Sequence, residues 1–81
     1  MVDVEVVVER VKGVLSNKYK SDILDKNVAY ELGLSATNLS SMKTRGYVPY
    51  YELTIFCKTN NINMNWLFLG LGGVEIVKEG N

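Results

Sequence analysis

Residues 29–46 read AYELGLSATNLSSMKTRG, and their spacing decides the fold. Ala29 is followed by Gly33, then by Leu39, then by Met42 one helical turn further on. Two short helices that meet at a steep angle within a few residues need these residue types in this order. The first helix needs a small side chain where the second crosses it, which Ala29 supplies. The turn needs a residue that accepts positive φ, which Gly33 supplies. The second helix needs an aliphatic side chain aimed back at the first, which Leu39 and Met42 supply. The stretch therefore predicts a helix that starts near Leu24 or Asp25, with Val28, Ala29 and Leu32 inward, and ends at Gly33. A second helix over 36–45 follows, capped by Ser35 and stopped at Gly46.

That second helix has an unusual outer face. A helix serving only the core would carry stronger helix formers outside. Here the outward positions are Ala36, Thr37, Ser40, Ser41 and Thr44, with Asn38 at the edge, and no acid occurs from Ser35 to Gly46. Short polar side chains allow close approach to a groove floor, where long acidic ones would be repelled. Thr and Ser pair with either kind of base edge, Asn can pair bidentately with adenine, and Ala or a Thr methyl can touch thymine. The spacing of Ala29, Gly33 and Leu39 is that of a DNA-binding helix-turn-helix. The expected DNA contacts are accordingly Ser35, Ala36, Thr37, Asn38 and Ser41 near the helix start, where amides also suit a phosphate. Lys43, Arg45 and Lys26 are the expected backbone-phosphate contacts.

On either side the pattern stays helical. Val4, Val7, Val8, Val11, Val14 and Leu15 fall at 3–4 spacing, with Asp3 able to cap the start and Glu5, Glu9 and Lys12 on the opposite face. The alternation of Val2, Val4 and Val6 would suit a strand, but it stops at Val6 while the helical spacing continues. SNKYKSD, residues 16–22, reads as a loop. Pro49 suits the first turn of a fourth helix, with Tyr50, Leu53, Phe56 and Cys57 on one face. Asn60 and Asn61 end it, because Asn tolerates the left-handed conformation. Asn63 caps a fifth helix, Met64 to Leu69, closed by Gly70. The segment from 72 to 81 reads as a short strand, a linker or a frayed end.

The totals bound the alternatives. Eighty-one residues make one small domain. Net charge is zero, although residues 16–46 alone carry +2, from Lys18, Lys20, Lys26, Lys43 and Arg45 against Asp22, Asp25 and Glu31. This permits phosphate contact on one face without demanding it. There is no histidine, and the single Cys57 falls on an apolar helix face as a small hydrophobe. Zinc sites of three His, and Ser-His or Cys-His pairs, are excluded, so no catalysis, metal or cofactor is expected. The start MVDVEVVVER lacks a basic n-region and no apolar run approaches a membrane span, so a cytoplasmic protein is expected.

Residues 7–70 resemble the helix-turn-helix domain of CI-type phage repressors, within the lambda-repressor-like group. The resemblance is carried by NVAYELGLSATNLSSMKTRG, by VPYYELTIFCKTNN and by INMNWLFLG. It implies an all-α, five-helix DNA-binding domain over 1–71, which acts as a transcriptional regulator and binds a palindromic double-stranded DNA operator as a homodimer. Four departures accompany it. Met42 stands where the family usually has Trp, Asn61 stands where it usually has Gly, and the turn before the second helix is longer. The C-terminal dimerisation and self-cleavage domain of many members is not among these residues, which fits an excised domain or a short stand-alone regulator.

On the fifth helix, Met64, Leu67 and Leu71 can share an inner face with Trp66 partly inward. Phe68 and Leu69 then remain as a surplus apolar edge, the expected dimer interface. No membrane contact or small-molecule ligand is expected. The competing reading is a helical protein–protein interaction module, antitoxin-like or partner-sequestering, without direct DNA readout.

Overall fold

The structure, a computed structural model, describes residues 2–76. Five α-helices follow one another: α1 (Val4–Tyr19), α2 (Asp25–Leu32), α3 (Ala36–Arg45), α4 (Tyr50–Asn60) and α5 (Met64–Leu69). Among the described residues the only extended pairing is a single antiparallel bridge, so the all-helical expectation holds. No helix among them is long and apolar enough to cross a membrane.

The valine-rich start is helical because its apolar positions recur every three to four residues. Val4, Val7, Val8, Val11 and Leu15 are all buried, while Val6 is exposed. The Asp3 carboxylate accepts the Glu5 amide at 2.9 Å and caps the first turn. Contrary to the loop expected from residue 16, α1 continues to Tyr19. Nothing in Ser16–Tyr19 breaks a helix, and Lys20 ends it by taking a left-handed φ of 58°, a conformation the sequence does not advertise at lysine. Gly13 lies in the middle of this helix with open space around the position of an added Cβ. Gly13→Ala is therefore expected to stabilise the fold by about 0.5–1 kcal/mol, measured by denaturant unfolding.

The helix ends that stand on short-range rules fall where expected. After α2, Gly33 at φ 73° donates to the Tyr30 carbonyl at 3.1 Å and Leu34 donates to that of Ala29 at 2.8 Å. These two bonds form a Schellman turn. Gly46 and Tyr47 close α3 in the same way, on the carbonyls of Lys43 and Met42. Asn61, at φ 57°, ends α4. Pro49 stands one residue before α4 rather than inside its first turn, and its carbonyl accepts from Leu53.

α2 is central, packing against α1, α3 and α4, and α1 also reaches α3 and α5. The core is one cluster that includes Val28, Ala29 and Leu32 from α2, Leu39 from α3, Leu53, Phe56 and Cys57 from α4, and Leu67 from α5. Trp66 is half-buried against it, as expected, whereas Tyr50 is exposed rather than part of the α4 inner face. After Gly72 the chain folds back along residues 61–63. Asn63 donates its amide to Val74 at 2.8 Å, and Ile76 donates to Asn61 at 3.1 Å. The expected tail begins as this strand-like tie, and the rest of it, 77–81, lies outside the described residues.

Candidate nucleic-acid interface

Three residues, 33–35, join α2 to α3. The Ser35 hydroxyl accepts the Asn38 amide at 3.0 Å, and the Ser35 carbonyl accepts that of Leu39. Among the described residues the amides of Ala36 and Thr37 have no acceptor, as the first amides of a helix commonly do not. α3 divides sharply. Leu39 is 0% exposed, whereas Ser35, Ala36, Thr37, Asn38, Ser40, Ser41 and Thr44 are exposed. Met42, expected inward beside Leu39, is half-buried.

The cations are less alike than the sequence suggests. Lys26 is exposed at the start of α2. Arg45 is exposed at the end of α3, its Nε donating to the Ser41 carbonyl at 3.3 Å and its guanidinium 6.0 Å from the Tyr47 ring centre. Lys43, also expected at the phosphates, is half-buried, and its ammonium is bonded to Asp25 Oδ2 at 2.6 Å. The other Asp25 oxygen takes Lys12 of α1 at 2.6 Å, and Lys12 also meets Glu9 at 3.2 Å. One carboxylate at the head of α2 thus fastens α1 and α3. Hydrogen bonds from Lys12, and next from Lys43, hold the Asp25 carboxyl below the usual carboxylate range, and the Asp25 bond raises Lys12 above its ordinary value.

Lys12, Asp25 and Tyr47 are the residues that sequence reasoning missed here. Residues 12 and 25 lie on different helices, so no local spacing announces their meeting. Tyr47 follows the Gly46 stop and has no periodicity to place it.

The expected α5 edge is rearranged. Leu67 is buried and Leu69 is 56% exposed, but Phe68 is half-buried against the core with its ring 5.3 Å from that of Tyr50. Met64 and Leu71, expected inward, are exposed. α5 is only 6 residues long, and Gly70 turns the chain before a second inward position is reached.

Other chemistry is sparse. Burial pushes the Cys57 thiol up, away from the reactive thiolate. No group of His, Cys, Asp and Glu among the described residues could hold a metal ion. No protein-family model matches the chain, and neither does any curated protein or solved structure.

Proposed function

We propose that this chain is a sequence-specific double-stranded DNA-binding domain of a transcriptional regulator, of the kind found in CI-type phage repressors. α2 and α3 serve as its helix-turn-helix, and α3 lies in the major groove. One observation carries the reading: α3 buries its single aliphatic plug, Leu39, and turns an acid-free edge of hydroxyl, amide and methyl groups outward. Thr37, Asn38 and Ser41 are the base-reading candidates, with Ala36 available to a thymine methyl. Ser35 and the free amides behind it face one phosphate, and Lys26 and Arg45 take others. Lys43, tied to Asp25, is left out of the phosphate contacts.

A single domain of this size reads one half-site, and two copies roughly 34 Å apart read a palindrome. The second copy docks through the exposed Leu69, with the half-buried Phe68 next to it in the chain. A binding selection from random duplexes at two salt concentrations tests the whole proposal. Recovery of an inverted repeat supports it, and the absence of any salt-dependent enrichment would sink it. Arg45→Gln is expected to weaken all sequences about equally and to flatten the salt slope by about one phosphate contact. An unchanged slope would remove Arg45 from the interface.

One observation favours the interaction-module reading. All five tyrosines are exposed, Tyr30 at 82% and Tyr51 at 75%, and tyrosine is enriched at protein interfaces. A module of that kind would bind its partner with no DNA affinity at low salt, which the same selection detects.

A further inference from the structure

We infer that Asp25 limits the strength of DNA binding by holding Lys43 against α2, so that α3 reaches a duplex with one cation fewer than its sequence carries. The inference rests on the DNA-binding reading above. Lys43 Nζ lies 2.6 Å from Asp25 Oδ2, and its side chain is only 22% exposed. Asp25 is the one carboxylate paired with this ammonium among the described residues. To reach a phosphate it would have to leave a carboxylate whose other oxygen holds Lys12. Arg45, two residues along, has no carboxylate partner among the described residues and lies open at the helix end.

The consequence follows from counterion release. Each phosphate neutralised adds about 0.9 to the steepness of log K against log salt. A withheld cation lowers affinity for every sequence by a similar factor. Asp25 is in this sense a positioning residue: it touches no DNA and acts through the lysine it holds.

The test measures salt slopes on a mixed-sequence duplex and on the selected site for four proteins: the parent, Asp25→Asn, Lys43→Gln and the double variant. Asp25→Asn removes the charge while keeping the shape. Its slope should steepen by about 0.9, with affinity for both duplexes rising roughly five- to tenfold at about 0.1 M salt. Lys43→Gln alone should leave the slope at the parental value. In the double variant the gain should vanish, which assigns it to Lys43 rather than to Lys12, whose Glu9 contact remains.

A folded Asp25→Asn protein with the parental slope, or with affinity lost mainly for the selected site, would overturn the inference in favour of a purely structural role. So would a slope reduced by about one in Lys43→Gln, since the lysine would then leave Asp25 for a phosphate. If Asp25→Asn does not fold, as read by helical circular dichroism, the Lys43→Gln slope decides alone. A parent protein that binds no duplex at low salt removes the DNA-binding reading itself, and this inference with it, a result distinct from the others.

Discussion

Leu39→Ala should cost the fold about 3–5 kcal/mol, the loss expected when a wholly buried leucine leaves a cavity that cannot collapse. Leu39 is fully enclosed where α3 packs on α2, in the same cluster as Val28, Ala29 and Leu32. A domain of this length has a total stability on the order of 4–12 kcal/mol. One truncation therefore removes a large share of it. The thermal midpoint should fall by about 15 °C or more, which circular dichroism or calorimetry measures. Under the proposed function, DNA affinity should fall with it even where the protein stays folded, because the plug sets how α3 projects. A loss below about 1 kcal/mol would mean that the site is loosely packed and that α3 is positioned by something else.

Ser41→Glu separates recognition from stability. Ser41 is exposed, and its side chain has no hydrogen-bond partner among the described residues. A surface substitution of this kind should change stability by no more than about 0.5 kcal/mol. In the proposed complex the new carboxylate would face base edges and phosphates. Like charges brought together at an interface cost several kcal/mol, so affinity should drop by about a hundredfold or more. The carboxylate also lies one helical turn from Arg45, where it can pair with the guanidinium and withdraw a phosphate contact. Fluorescence anisotropy on a labelled duplex at fixed salt, with a parallel melting curve, reads both effects. Retained affinity would move the DNA off this face of α3.

The two predictions differ in how much of their basis was legible in the sequence. Leu39 could be placed inside because Ala29, Gly33 and Ser35 fix the geometry around it through local rules: a small crossing residue, a left-handed turn and a cap. The limits of α3 and α5 were readable for the same reason, as was Asn61 at the end of α4. Lys43 shows the limit of such reading. Its position at the end of α3 suggests a phosphate or the helix dipole, and no local rule announces the carboxylate eighteen positions away along the chain to which its ammonium is bonded. The end of α1 was missed because lysine at positive φ carries no signal. The inner face of α5 was misassigned because periodicity assumes a helix longer than this one. The outward hydroxyl edge of α3 is legible for a simpler reason: once Leu39 is fixed inside, the helical period sends Thr37, Ser40, Ser41 and Thr44 outward.

The brevity of α5 has a consequence of its own. A segment of 6 residues does not hold a helical shape alone in water. This one is secured by Leu67 in the core and by the Arg10 guanidinium, which donates to the Leu67 carbonyl at 3.0 Å. Arg10 also crowds Gly70, where an added Cβ would come within 2.7 Å of its Nη2. The outer surface of α5 thus takes its shape from α1, a helix early in the chain. If a second copy docks on α5 as proposed, folding and self-association are thermodynamically linked, and whatever loosens α1 also erodes the platform that the second molecule would need.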